Sequence, residues 1–165
     1  LIERKLGRGP RVVRVMPNLP ALIGQGISAV TAGVSAKKKD VNLVSRIFAS
    51  VGQTVVVEEK LMDSVTAVSG SGPAYVFYFA EILQASAARM GLAPYRARQL
   101  VLQTLKGSVA MLESRQVNAA DLRKKVTSKG GTTAAAMDVL IKSKTDKIVD
   151  QALRAARRRA GELSR

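Results

Sequence analysis

Met62-Asp63-Ser64-Val65-Thr66-Ala67-Val68-Ser69-Gly70-Ser71-Gly72-Pro73-Ala74-Tyr75-Val76-Phe77-Tyr78-Phe79 joins two helical patterns through a break of small residues. Lys60 to about Val68 reads as one helix. Pro73 to Met90 reads as the next, with proline at the first helical position and Gly91 just past the end. Between Pro73 and Ala88 the only charge is Glu81. Tyr75, Val76, Phe77, Tyr78, Phe79, Ile82 and Leu83 surround the axis, so this helix is expected to be buried on all sides. In so short a chain, that means a second subunit covers one side.

Downstream the pattern stays helical. Pro94 to Ser114 carries a stripe of Ala97, Leu100, Val101, Leu105, Val109 and Leu112. Shorter helices are expected from Asn118 or Ala119 to Val126 and from Thr132 or Thr133 to Ile141, and a last one from Thr145 to about Leu163. Upstream the texture changes. Arg11 to Pro17 and Ile27 to Gly33 are short β-branched runs bounded by Gly and Pro, and read as strands. Asn18 to Gly26 is a loop between them, Lys37 to Gly52 a helix, and Thr54 to Val57 a third strand. The expected fold is mainly α: a helical domain over residues 58–165, preceded at 1–57 by the last strands and helix of an α/β domain.

Composition narrows the chemistry. The 165 residues are 47% hydrophobic, which excludes a disordered chain. Lys plus Arg number 27 against 12 acidic residues, a net charge of +15 that favours anionic ligands or partners. There is no cysteine and no histidine. Thiolate metal sites, cysteine nucleophiles and the imidazole base are therefore excluded, and no metal is expected. The uncharged, apolar run Ser64 to Ala80 is broken at Ser69–Pro73 and falls short of a membrane span. The first ten residues hold four charges and no apolar signal region. A cytoplasmic location is expected. The start at Leu1 rather than Met reads as a fragment of something longer.

Five stretches are candidate sites. Gly24-Gln25-Gly26-Ile27-Ser28-Ala29 matches G-x-G-x-x-A, but prolines precede it and a strand follows, whereas a dinucleotide fingerprint needs a strand before and a helix after. It reads as a turn. Lys37-Lys38-Lys39 and the Arg-rich C-terminus lack interleaved aromatics and read as solvated faces. Ser69 to Tyr75 places two glycines and two hydroxyls before a helix start, and fits either a close-approaching planar ligand or a plain corner. Thr127-Ser128-Lys129-Gly130-Gly131-Thr132-Thr133 is the strongest signal. A glycine-rich turn entering a helix offers backbone N–H groups to a carboxylate or phosphate, aided by the helix dipole and by Arg123, Lys124, Lys125 and Lys129.

Arg14-to-Gly26 RVMPNLPALIGQG, then MDSVTAVSGSGPAYVFYF, then LRKKVTSKGGTTAAAMDVL, in this order, resemble pyrroline-5-carboxylate reductase over nearly the whole chain from Val12. The resemblance implies reduction of a cyclic imine to L-proline with NADPH or NADH. It implies a Rossmann domain whose fingerprint lies upstream of Leu1. It also implies a homodimer through interlocked helices, with dimers able to assemble further. By the same resemblance, Ser128, Gly130, Gly131, Thr132 and Thr133 hold the substrate carboxylate, and the Thr133 hydroxyl reaches the ring nitrogen as the catalytic contact. Pro73 packs on the nicotinamide near Ser71, and Met16, Pro17 and Asn18 line the cofactor. The chain departs from the family's usual pattern at Lys129 (usually Pro), Leu19 (usually Thr) and Gln116 (usually acidic). Lys125 stands at a position that can face the cofactor.

On this reading the chain alone is inactive and binds neither nucleic acid nor membrane. A non-catalytic relative used for assembly or small-carboxylate binding is the alternative, followed by a basic nucleic-acid-binding helical domain.

Overall fold

A computed structural model describes residues 2–7, 9–115 and 118–164. The described chain forms two compact units. One runs through Tyr75 and resumes at Asp150; the other is Val76–Val149.

The first unit opens with a short helix, α1 (Ile2–Leu6), then β1 (Val13–Met16), β2 (Gly26–Ala32), α2 (Lys38–Phe48) and β3 (Gly52–Val56). The sheet order is β1-β2-β3. β1 runs antiparallel to β2, with Val13 opposite Ala32 and Met16 opposite Ala29. β3 runs parallel to β2, with Gly26 beside Gly52 and Val30 beside Val56. β2 is thus central, and Ser28, Ala29, Val30 and Thr31 are almost completely buried, as the middle strand of a covered sheet must be. Val41 of α2 supplies the matching apolar side chain. At the start of α2 the Lys37 N–H donates to Asp40 Oδ2 (2.8 Å), and Asp40 Oδ1 pairs with Arg11 (2.9 Å). Glu3 of α1 accepts from the Val34 N–H at 2.8 Å, which ties α1 to the end of β2.

The expected loop at Asn18–Gly26 contains a tight 3₁₀ turn, Leu19–Ile23, closed by Gly24 in the left-handed region (φ 71°). The G-x-G-x-x-A match falls on this turn and the start of β2. A side chain at Gly26 would collide with Ala21. The glycine therefore serves packing of the turn onto the strand, not approach of a phosphate.

α3 (Met62–Val65) continues into a wider π turn, Thr66–Gly70. α4 (Gly72–Arg89) then leaves the first unit for the second. Met62 and Ala67 are buried, and on the returning C-terminal helix so is Ala160. Asp63 Oδ2 lies 3.2 Å from the Cβ position of Gly161, a close approach that a larger residue would open.

In the second unit α4 ends at a capping turn set by Gly91 (φ 94°): the Leu92 N–H donates to the Ala87 carbonyl (3.1 Å) and the Gly91 N–H to Ala88 (3.0 Å). These are the two bonds of a Schellman motif, which needs a left-handed residue where Gly91 stands. α5 (Pro94–Arg115) follows, then α6 (Ala119–Lys125), α7 (Thr132–Lys142) and α8 (Thr145–Leu163), which returns to the first unit. Asn118 caps α6 by accepting the Ala120 N–H at 2.8 Å.

The fold is mainly α, with a three-stranded sheet ahead of the helices. The expectation of burial around α4 is not met within one chain. Ala80 and Ala87 are buried, but Val76, Phe77, Tyr78 and Phe79 are 54%, 57%, 63% and 47% exposed. The stripe on α5 divides likewise: Ala97 and Val101 are buried, Leu100 and Val109 exposed. The chain exposes 12550 Å², whereas two separate compact bodies of the units' sizes would expose only about 9,500 Å² together. These apolar faces are uncovered within the described chain.

Candidate functional site

The turn before α7 is built by its glycines. The Gly131 N–H donates to the Ser128 carbonyl at 3.0 Å, and Gly130 has φ 73°. A bond from the fourth residue to the first, with positive φ at the third, is the geometry of a type II turn. Lys129 occupies its second position and is exposed. Ahead of the turn, the Thr127 hydroxyl donates to the Arg123 carbonyl (2.6 Å) and the Thr127 N–H to Lys124 (3.1 Å), which ties the turn to the end of α6.

Gly131 is the N-cap of α7 and offers no side-chain cap. The Thr132 and Thr133 N–H groups have no acceptor among the described residues. They are the orphan donors every helix start presents, pointing along the positive end of the dipole. The Ser128 hydroxyl lies against Gly131. Neither it nor the Thr133 hydroxyl has a hydrogen-bond partner among the described residues. Thr133 is half-buried. The turn thus brings together Ser128, Gly130, Gly131, Thr132 and Thr133, with two backbone N–H donors that have no acceptor among the described residues and hydroxyls able to donate beside them. Arg123, Lys124, Lys125 and Lys129 surround it with positive charge. Such a set fits a carboxylate, which brings four lone-pair directions and a charge the site lacks. Beside the turn, α6 and α7 enclose an open cavity of about 270 Å³ lined by Arg123, Thr127, Ala134 and Met137 among others.

The first unit holds the remaining candidates. Met16 ends β1, with Pro17 and Asn18 following. Asn18 Oδ1 accepts the Ile27 N–H at 3.0 Å, so its amide oxygen already closes the link between β1 and β2. The Met16 methyl lies 2.9 Å from the Cβ position of Gly70. The structure therefore places Met16 against the Ser69–Pro73 segment. Within that segment, the Ser69 hydroxyl is spent on the Val65 carbonyl (3.1 Å) and that of Thr66 on Met62 (2.8 Å). The Ser71 hydroxyl has no partner among the described residues and is half-buried, as is Pro73. A Cβ at Gly72 would meet nothing within 4 Å. The backbone at Gly72 is therefore open to close approach.

Sequence reasoning missed the π turn and the part Tyr75 plays there: its hydroxyl donates to the Ala67 carbonyl at 3.1 Å. The Ser-Gly-Ser-Gly run reads as a break, and no pattern signals a helix that widens instead of stopping. Of the departures from the family pattern, Leu19 opens the 3₁₀ turn and is exposed, Lys125 is the exposed last residue of α6, and Gln116 lies outside the described residues. Among the described residues no group of three or more His, Cys, Asp or Glu is placed to hold a metal ion. No helix among them is long and apolar enough to cross a membrane.

A family profile described as pyrroline-5-carboxylate reductase dimerisation matches residues 59–163. A relative from Synechocystis sp. named pyrroline-5-carboxylate reductase is 40% identical over 154 residues, 93% of this chain and 58% of its own length. One of the same name from Mycobacterium tuberculosis is 40% identical over 178 residues, 98% of this chain and 60% of its own. Among solved structures, a pyrroline-5-carboxylate reductase from Coxiella burnetii superposes with a TM-score of 0.94 at 38% identity, covering 100% of this chain and 62% of that one. The Plasmodium falciparum pyrroline carboxylate reductase, solved with NADP bound, gives 0.91 at 36%, covering 96% and 64%. The chain spans about three fifths of the length of the relatives it matches. It belongs to the pyrroline-5-carboxylate reductase family and carries that family's helical dimerisation domain.

Proposed function

We propose that the chain is the substrate-binding and dimerising part of a cytoplasmic enzyme that reduces the cyclic imine of pyrroline-5-carboxylate to L-proline, the last step of proline biosynthesis. The observation that carries this reading is the turn Ser128–Thr133 with its free backbone donors. It offers a small carboxylate two free N–H groups and a hydroxyl at a helix start, in a surround of positive charge. The names of the relatives support the same assignment.

In this reading residues 1–57 are the end of the dinucleotide-binding domain, and 58–165 form the helical domain of a homodimer through interlocked helices, with dimers able to assemble further. Ser128, Gly130, Gly131, Thr132 and Thr133 bind the carboxylate. Once it is fixed, the ring can only swing about that anchor, and the Thr133 hydroxyl, one residue into α7, meets the ring nitrogen. A protonated imine is already a strong hydride acceptor, so the site needs no nucleophile, and the lack of Cys and His is no obstacle. Met16, Pro17, Asn18, Ser71 and Pro73 would hold NADPH or NADH, which supplies the hydride when bound. Holding donor and acceptor carbons together can account for roughly 7–11 kcal/mol of such a barrier.

The test is NADPH oxidation by the product of the whole reading frame. Turnover that depends on pyrroline-5-carboxylate is expected there, and none from residues 1–165 alone. A whole product that binds proline but never oxidises NADPH would sink the reductase reading and favour a carboxylate-binding relative.

A further inference from the structure

The π turn leaves one buried carbonyl without its ordinary partner. In an α-helix the Ala67 carbonyl would accept the Ser71 N–H, four residues on. Here the Ser71 N–H donates to Thr66, five residues back, at 2.8 Å. Ala67 is only 2% exposed, so water does not replace the lost donor. The Tyr75 hydroxyl does, at 3.1 Å, reaching back from the first turn of α4. A buried carbonyl without a donor is costly, so this bond favours the wide turn over a regular one. On its other side the turn is fixed by Met16, whose methyl fills the space a Gly70 side chain would need.

These bonds have a consequence for the two residues that follow the turn. Ser71 ends the i+5 ladder, and its carbonyl accepts the Ala74 N–H at 3.0 Å, so Ser71 and Pro73 sit between the turn and the tyrosine that closes it. We propose that Tyr75 is a positioning residue for the cofactor: through the Ala67 carbonyl it holds the π turn Thr66–Gly70 in register, and so presents Ser71 and Pro73 beside Met16 at the nicotinamide. This rests on the reading that Ser71 and Pro73 face the cofactor. Tyr75 itself touches neither substrate nor reacting atoms.

The experiment compares Tyr75→Phe and Pro73→Ala in the product of the whole reading frame, by steady-state kinetics with each substrate varied and by sedimentation. Tyr75→Phe keeps the ring and removes only the donor. It should raise KM for NADPH about tenfold, leave KM for pyrroline-5-carboxylate within twofold, and leave the oligomer unchanged. Pro73→Ala should raise KM for NADPH as well. A rise with Pro73→Ala but none with Tyr75→Phe would overturn the positioning role and leave the cofactor reading standing. No change with either variant would overturn that reading and the proposal with it. Both Michaelis constants rising together, or a lost oligomer, with Tyr75→Phe would show a general structural role and overturn the proposal.

Discussion

The hydroxyl oxygen of Ser128 lies 2.5 Å from the point a Cβ on Gly131 would occupy. Gly131 has ordinary extended dihedrals (φ −79°, ψ 167°), so the glycine is required for space and not for conformation. Gly131→Ala would keep the fold, since a serine hydroxyl can rotate away, at a cost of about 1 kcal/mol. The rotation would remove Ser128 from the anion site. KM for pyrroline-5-carboxylate should then rise about tenfold, the worth of one hydrogen bond to a charged group. The double variant Ser128→Ala/Gly131→Ala should be no worse than Ser128→Ala, because the two changes remove the same contact. Additive losses would show that the hydroxyl and the glycine act separately.

Lys129 stands at the second position of a type II turn, where proline is favoured because its φ is preset. Its own N–H has no acceptor among the described residues. Lys129→Pro should therefore stabilise the protein by about 0.4–1 kcal/mol, mostly by restricting the unfolded chain. Differential scanning calorimetry should register a rise of a few degrees in Tm. A fall would mean that Lys129 does not hold the backbone angle a type II turn assigns to it.

Thr133→Val separates chemistry from structure. The Thr133 hydroxyl has no hydrogen-bond partner among the described residues, and valine matches its shape. Stability and oligomer should be unchanged. If the hydroxyl meets the ring nitrogen, kcat/KM should fall by about 10²-fold, the lower range for a positioned proton-transfer group. Kinetics identical to the parent would remove Thr133 from the mechanism and leave the carboxylate site to its backbone amides.

The helices were legible wherever a residue type has one physical reason to be where it is. Gly91 ends α4 because only glycine takes φ 94° cheaply, and Gly130 marks the turn before α7 for the same reason. Asn118 announces a cap and Pro94 a helix start. The turn before α7 was visible because two adjacent glycines ahead of a helical pattern mark a change of backbone direction. The π turn was not, because its cause is non-local: a tyrosine eight residues beyond the carbonyl it satisfies, and a methionine from a strand. Strand direction was equally hidden, since Val-rich runs read alike whether they pair parallel or antiparallel. The exposure of α4 is the instructive difference. Apolar residues on all sides of a helix say that it is covered, not by which chain.

That question has a direct answer in mass. The chain exposes about 3,000 Å² more than its two units need expose as separate compact bodies. A stable protein interface takes about 800 Å² from each partner, and an obligate one considerably more. Phe77 and Tyr78, 57% and 63% exposed on α4, are the largest side chains offered, and a fully covered aromatic can be worth 2 kcal/mol or more at such a contact. Sedimentation should find a dimer or a multiple of it at micromolar concentration, with a Tm that rises with protein concentration. Phe77→Glu/Tyr78→Glu should weaken association by about a thousandfold or more and shift the population to monomer. It should also lower Tm to a value independent of concentration. A dimer that survives both charges would move the interface to the exposed side of α5, where Leu100 and Val109 lie, and leave α4 facing something other than its own copy.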